Sequence, residues 1–213
     1  MIAPLFVIIL LAVLLIVVTP HINARSYNLG KSINNVNIPD IIHNNIVAHA
    51  AFKTLAALLP VVSFQLCIIA IVVNKRVDML VFLIVCAIVF QILFYAITVA
   101  TTLPDSSKEC KFNKNVFEML KHMGTCNNLG ISGHLMFTGL LLFVASWTFH
   151  DHKHWGYFAA LYVLSFISIS ASRNHYTLDC IVSTLLLGVL ISNAKSILEF
   201  LNKRFKFPRV QEK

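Results

Sequence analysis

Six stretches of the chain are apolar almost without interruption, and polar segments separate them. Their approximate bounds are 2–18, 55–73, 79–100, 131–149, 155–171 and 176–194. Each has about 17–22 residues, the length that an α-helix needs to cross the hydrocarbon core of a bilayer. Continuous hydrophobicity predicts helices here, because a lone strand in lipid would leave its backbone N–H and C=O groups unpaired. The pattern therefore predicts an all-α fold, a polytopic bundle of six transmembrane helices.

The composition supports a membrane protein. Of the 213 residues, 58% are hydrophobic and only 12% are charged, whereas soluble domains carry about 25% charged residues. So little charge cannot cover a surface that faces water, which excludes a soluble domain. We expect one transmembrane domain over residues 1–195 and a basic cytoplasmic tail over residues 196–213.

The first apolar stretch has two interpretations, an uncleaved span and a cleaved signal peptide. No Lys or Arg precedes it, and the Ile-Asn-Ala sequence at 22–24 is a poor cleavage site. Both observations favour an uncleaved span.

The net charge of +8 is interpreted as a membrane signature. Nucleic acid is not an expected partner, because the basic residues do not form a long face. They are concentrated instead near the C-terminus, at Lys195, Lys203, Arg204, Lys206, Arg209 and Lys213. Positive charge just after an apolar run is typical of a cytoplasmic segment beside anionic lipid headgroups. Since six spans place both termini on one side, we expect both to be cytoplasmic.

Two polar segments carry further predictions. In residues 46–54, His49 and Lys53 lie one helical turn apart, which suggests an interfacial helix leading into the second span. In the long segment 101–130, Cys110 and Cys126 would be able to form a disulfide if that segment faces an oxidising lumen.

Titratable residues are concentrated at the starts of the fourth and sixth spans. Ser-Gly-His at 132–134 opens the fourth, and Arg-Asn-His-Tyr-Thr-Leu-Asp at 173–179 leads into the sixth. Both spans cross the membrane in the same direction, so both clusters lie on one face. Ionisable residues in membrane spans are costly and mark functional sites by default. We therefore expect the two clusters to form one site.

The residue types at this site indicate phosphoryl transfer. His175 and Asp179 are four residues apart, so they share one helix face, and the carboxylate can orient the imidazole as a nucleophile or base. His134 can supply the complementary general acid. Helix N-termini and Arg173 suit the binding of phosphate oxygens. Together they predict a phosphoryl-transfer site at the depth of the lipid headgroups.

The other histidines are weaker candidates. The His-Asp-His-Lys-His sequence at 150–154 resembles a metal site, but it is a short turn on the opposite face with a lysine in its middle. We interpret it as a solvated turn. We interpret His21, His43 and His49 as loop or interface residues.

The two clusters resemble the motifs of the sphingomyelin synthase-related family, membrane relatives of the type 2 phosphatidic acid phosphatases. Residues 126–134 read Cys-Asn-Asn-Leu-Gly-Ile-Ser-Gly-His, and residues 172–179 read Ser-Arg-Asn-His-Tyr-Thr-Leu-Asp. The family patterns are Cys-Gly-Asp followed after three residues by Ser-Gly-His, and His-Tyr-Thr-x-Asp. Thr-Thr-Leu-Pro at 101–104 and Ile-Pro-Asp at 38–40 are similar to further family landmarks in the right order.

The resemblance implies a six-span fold like that of the type 2 phosphatidic acid phosphatases and transfer of a phosphorylated headgroup from a glycerophospholipid to ceramide, releasing diacylglycerol. By position, His175 would form a phospho-histidine, Asp179 would orient it, and His134 would act as acid and then base. Substrate-binding residues would be Ser132, Gly133, Arg173 and Tyr176. Neither a metal nor another cofactor is implied.

Ceramide and the glycerophospholipid are the expected partners, and a homo-oligomer is compatible with the sequence. The resemblance places the site on the lumenal or outer face of Golgi, endoplasmic reticulum or plasma membrane.

The transferred headgroup stays open among phosphocholine, phosphoethanolamine and phosphoinositol. Asn127 and Asn128 replace the Gly-Asp of the family pattern, which removes a carboxylate that would meet a cationic headgroup. Ser172 and Arg173 are more similar to plant and protozoan inositol phosphorylceramide synthases. Two alternatives also remain: a lipid phosphate phosphatase of the same superfamily, and a non-catalytic lipid-binding scaffold.

Overall fold

The computed structural model describes residues 2–30, 38–47, 49–101, 103–104, 130–149 and 154–205. Within these ranges the chain is all-α, as the hydrophobic pattern predicts. The helices are α1 (Ile2–Gly30), α2 (Ile41–Asn45), α3 (Ala50–Val73), α4 (Val77–Ala100), α5 (Gly133–Phe149), α6 (Trp155–Ala171) and α7 (Thr177–Phe205).

Four of these helices are long and apolar enough to cross a membrane: α1 over Ile9–Gly30, α3, α4 and α7. The chain is therefore a multi-pass membrane protein. The other two apolar helices, α5 and α6, have 17 residues each. At 1.5 Å per residue each is about 26 Å long, slightly shorter than a hydrocarbon core of about 30 Å. The six-span count therefore stays a prediction.

Helix α5 lies at the centre of the bundle, where it packs against α3, α4, α6 and α7. Close packing on α5 requires a glycine at position 139. A Cβ atom there would lie 2.3 Å from Leu187 Cδ2 of α7 and 2.6 Å from Tyr162 Cε2 of α6. Gly139 therefore lets three helices approach one another closely.

Two helices extend beyond their predicted ends. Helix α1 continues past residue 18 to Gly30 and contains Pro20. Helix α7 continues past residue 194 to Phe205, so the predicted tail at 196 begins inside a helix. The reason is that buried apolar residues recur every three or four positions from residue 194 onward and join the main core. They are Ala194, Leu198, Leu201 and Phe205.

The prediction of an interfacial helix over residues 46–54 was wrong in its position. The short helix at this place is α2, which ends at Asn45, and residues 50–54 form the first turns of α3. His49 caps α3, because its ring Nδ1 accepts the backbone N–H of Ala51 at 3.2 Å.

The turn between α3 and α4 is closed by an ion pair between Arg76 and Asp78. Arg76 Nη2 lies 2.8 Å from Asp78 Oδ2, and Arg76 Nε donates to Asp78 Oδ1 at 2.9 Å. Because α4 has 24 residues and is thus about 36 Å long, this turn is far from Pro104, which follows the other end of the helix.

Candidate active site

The N-termini of α5 and α7 bring His134 and His175 together. Their ring centroids are 6.4 Å apart, and the ring planes are inclined at 59°. In phosphoryl transfer the attacking atom lies about 3–3.5 Å from phosphorus, and the acid lies within a hydrogen bond of about 3 Å of the leaving oxygen. The two imidazoles are thus near enough to contact one bound group from two helices.

Asp179 contacts His175 from one helical turn further along α7. His175 Nδ1 lies 3.3 Å from Asp179 Oδ2, and the two side chains are only 9% and 1% exposed. Two backbone groups also donate to this carboxylate, Tyr176 N–H at 3.2 Å and Gly130 N–H at 3.0 Å. The positive end of the α7 dipole stabilises a negative charge here. The bond to Nδ1 leaves Nε2 on the far side of the ring for chemistry.

Ser132 and Gly130 join the start of α5 to α7. The Ser132 hydroxyl accepts the backbone N–H of Leu135 at 3.3 Å and so caps α5. Its own backbone N–H donates to Ser183 Oγ of α7 at 2.7 Å. Gly130 has a φ of +116°, and a Cβ atom there would lie 2.9 Å from Ile97 Cγ2. This connection fixes His134 relative to His175.

Ser132 and Gly133, which were predicted to bind substrate, lie at this junction. Ser132 is fully buried and serves as a cap, while Gly133 lies beside Phe94 of α4. Their contacts with a substrate stay predictions.

Arg173 and Tyr176 lie in the connection between α6 and α7. Arg173 is exposed, has a φ of +61°, and donates from Nη2 to the backbone oxygen of His43 at 3.3 Å. Tyr176 is buried, and its hydroxyl donates to the backbone oxygen of Pro104 at 3.3 Å. The connection is thus attached to α2 and to the segment that follows α4.

His43 lies closer to this site than the sequence suggested. Its Nε2 is 3.1 Å from the backbone oxygen of His175, and its ring centroid is 5.5 Å from that of Tyr176. Helical spacing did not indicate this position, because His43 belongs to a separate helix 132 residues away in sequence from His175.

Asp40 is a residue whose role the sequence analysis missed. Asp40 Oδ2 accepts the Thr177 backbone N–H at 2.6 Å, and Oδ1 accepts the Thr177 hydroxyl at 2.7 Å. Oδ1 also accepts the backbone N–H groups of Ile42 and His43, both at 3.0 Å, and so caps α2. An Asp directly before a short apolar segment is an N-cap signal, but nothing in the local sequence indicates the bond to α7.

Several predicted features fall outside the described residues: Cys110, Cys126, Asn127, Asn128 and most of the 150–154 turn. The described member of that turn is His154, whose ring lies 5.9 Å from that of Phe149 between centroids. In the part of the chain that the structure describes, no three His, Cys, Asp or Glu side chains are grouped as metal ligands.

Comparison with protein families identifies the region that holds this site. The family model described as PAP2 superfamily C-terminal matches residues 125–196. Residues 125–196 are thus similar to the C-terminal part of the PAP2 superfamily. His134, His175 and Asp179 all lie within these matched residues.

One curated relative shares part of the chain. Over 107 residues the chain is 37% identical to the protein named "Phosphatidylinositol:ceramide inositolphosphotransferase" of Trypanosoma cruzi (strain CL Brener). The match covers 43% of this chain and 32% of the relative, so the chain spans about a third of that protein's length. Together with the match to the PAP2 family model, this similarity confirms the family resemblance. No solved structure shows a significant match.

Proposed function

We propose that the protein is a lipid phosphotransferase that moves a phosphorylated headgroup from a glycerophospholipid to the primary hydroxyl of ceramide and releases diacylglycerol. The observation that carries the proposal is the pair of imidazoles, 6.4 Å apart, with Asp179 bonded to Nδ1 of His175. One ring has a carboxylate that orients it as a nucleophile, and the other faces it as an acid–base partner.

In the first step, Nε2 of His175 attacks the phosphorus of the donor lipid while Nδ1–H donates to Asp179. The bond between phosphorus and the diacylglycerol oxygen breaks, and His134 gives that oxygen its proton. In the second step, His134 accepts the proton of the ceramide hydroxyl as that oxygen attacks the phospho-histidine. The P–N bond breaks, and both imidazoles return to their starting states.

Phosphoinositol is our first choice for the headgroup. The curated relative is named as an inositolphosphotransferase that uses phosphatidylinositol and ceramide. Ser172 and Arg173 before His175 resemble the pattern of plant and protozoan inositol phosphorylceramide synthases, and an exposed guanidinium beside the site suits phosphate or polyol oxygens. Phosphocholine and phosphoethanolamine transfer are the other outcomes that the test distinguishes.

We further propose six crossings of a Golgi, endoplasmic reticulum or plasma membrane, with the site on the lumenal or outer face and both termini in the cytoplasm. Two groups of described basic side chains support this orientation. Lys75 and Arg76 lie in the α3–α4 turn, and Lys203 and Arg204 lie in the last turn of α7, both at the end of the bundle opposite the site. Positive charge concentrates on the cytoplasmic side of membrane proteins.

The test supplies membranes containing the protein with fluorescent ceramide and one donor at a time: phosphatidylinositol, phosphatidylcholine or phosphatidylethanolamine. We expect a ceramide phospholipid from at least one donor, abolished by His175→Ala and reduced at least 100-fold by His134→Ala. His21→Ala, which removes an exposed imidazole of α1, is the matched control and should leave turnover unchanged. Free phosphate from a lipid monoester would instead indicate a phosphatase, and no product from any donor would indicate a scaffold.

A further inference from the structure

One carboxylate, Asp40, joins the N-terminus of α2 to that of α7, whose first residue, Thr177, is 137 positions further along the chain than Asp40. It is 7% exposed and accepts four hydrogen bonds, two from α2 and two from Thr177, the first residue of α7. Two further bonds attach α2 at the same place: His43 Nε2 to the backbone oxygen of His175, and Arg173 to the backbone oxygen of His43.

Asp40 caps the start of α7 from outside the helix. The first backbone N–H groups of a helix have no partner within the helix, and Ser, Thr, Asp or Asn usually supplies one from the N-cap position. Tyr176 occupies that position, and its hydroxyl is directed to Pro104 instead. An N-cap side chain would in any case reach the second or third N–H of the helix, whereas Asp40 accepts the first, that of Thr177, from outside the helix.

The two carboxylates at this helix end therefore bind different groups: Asp40 binds Thr177, and Asp179 binds Tyr176 and His175. Asp179 accepts Tyr176 N–H and His175 Nδ1 with the same oxygen, Oδ2, at 3.2 and 3.3 Å. Without Asp40, the N–H and the hydroxyl of Thr177 would lose their acceptors. The carboxylate of Asp179, which lies in the same helical turn, would then be the nearby alternative acceptor. A shift of Asp179 toward the helix end would weaken its bond to His175.

We propose that Asp40 is a positioning residue for His175. It holds the first turn of α7 through Thr177 and so leaves Asp179 to orient the imidazole. This inference rests on the proposed phosphotransferase function.

The activity test uses substitutions of Thr177 and Asp40. Thr177→Val removes the hydroxyl bond to Asp40 Oδ1. Asp40→Asn keeps one oxygen for the bonds of Oδ1 but replaces Oδ2, the acceptor of the Thr177 backbone N–H, by an N–H₂ donor. We expect kcat to fall about 10-fold in the first and at least 100-fold in the second, with KM for both lipids changed less than about two-fold. Thr177→Ser keeps the hydroxyl donor and should keep kcat near the wild-type value.

The matched control is Thr184→Val, further along the same helix. It removes a hydroxyl that contacts Tyr162 Oη at 2.9 Å and Cys180 O at 2.8 Å, far from Asp40, and should leave kcat unchanged. A similar fall of kcat in Thr177→Ser and Thr184→Val would indicate a purely structural effect and overturn the proposal.

Amide hydrogen exchange provides a readout that needs no substrate. We expect the N–H of Thr177 to exchange faster in Asp40→Asn than in the wild-type protein, because its acceptor is lost. An unchanged exchange rate would overturn the hydrogen bond between Asp40 and Thr177. Normal kcat of Asp40→Asn in an active enzyme would overturn the positioning role alone, whereas a wild-type protein inactive with every donor would overturn the proposed function as well.

Discussion

The most direct test of the site chemistry is Asp179→Asn. The exchange preserves the size of a side chain that is 1% exposed but replaces one acceptor oxygen by an N–H₂ donor. Gly130 N–H can keep an oxygen partner, whereas Tyr176 N–H and His175 Nδ1–H donate to the same atom, Oδ2. An amide nitrogen at this position cannot accept from either.

The imidazole would respond by changing its tautomer. The new amide N–H donates to Nδ1, so the ring proton moves to Nε2, and the nitrogen that should attack phosphorus loses its lone pair. The same exchange in a Ser-His-Asp triad lowers kcat about 10⁴-fold, which corresponds to about 5 kcal/mol of transition-state stabilisation. Leaving the buried N–H of Tyr176 without an acceptor costs about 1–3 kcal/mol of stability in addition.

The assay measures headgroup transfer to fluorescent ceramide per folded protein, with folding checked by thermal unfolding in detergent. Asp78→Asn is the matched control, because it also converts a hydrogen-bonded carboxylate to an amide, beside Arg76 at the opposite end of the bundle. We expect it to lower stability and leave turnover intact. If Asp179→Asn retains more than about a tenth of wild-type turnover, the orienting role of Asp179 is refuted.

Two further predictions concern packing and pH. Gly139→Ala should lower the free energy of unfolding by about 1–3 kcal/mol, because its Cβ would overlap Leu187 and Tyr162. The control Gly156→Ala should leave it unchanged, because a Cβ at Gly156 has nothing within 4 Å. Equal melting temperatures of the two variants would contradict this prediction. Burial raises the pKa of the Asp40 carboxyl, but hydrogen bonds from the side chain and backbone of Thr177 and the backbone of His43, with the His43 charge, outweigh it and hold the pKa below its usual value. The ionised Asp40 carboxylate therefore stabilises the folded state fully above the pKa of an unfolded Asp, about 3.9. This stabilisation is lost as the pH falls through the pKa of Asp40 in the folded protein. The melting difference between wild type and Asp40→Asn should shrink from pH 6 to pH 3, and a constant difference would contradict the assignment.

Local periodicity explains why part of the site could be predicted. The spacing of His175 and Asp179 places both on one face of any helix that contains them, so their contact at 3.3 Å depends little on the rest of the fold. The parity of the apolar segments likewise placed His134 on the face of His175, and the two rings do lie 6.4 Å apart. These relations depend only on helix geometry and the direction in which the chain crosses the membrane.

Helix ends were less predictable. Average hydropathy falls where α7 leaves the most apolar region, although its buried stripe continues to Phe205. Whether such a stripe stays helical depends on the neighbouring helices that cover it, and the sequence of one segment does not contain that information.

By itself, therefore, the sequence determined an all-α membrane protein whose two histidine clusters share one face, since hydrophobicity and helical spacing are local properties. The tertiary structure decided which distant groups complete the site. Asp40 reaches Thr177, His43 reaches the backbone of His175, and Gly139 lets three helices approach. Each of these contacts joins segments far apart in sequence, so it exists only once the packing of the helices has brought the segments together.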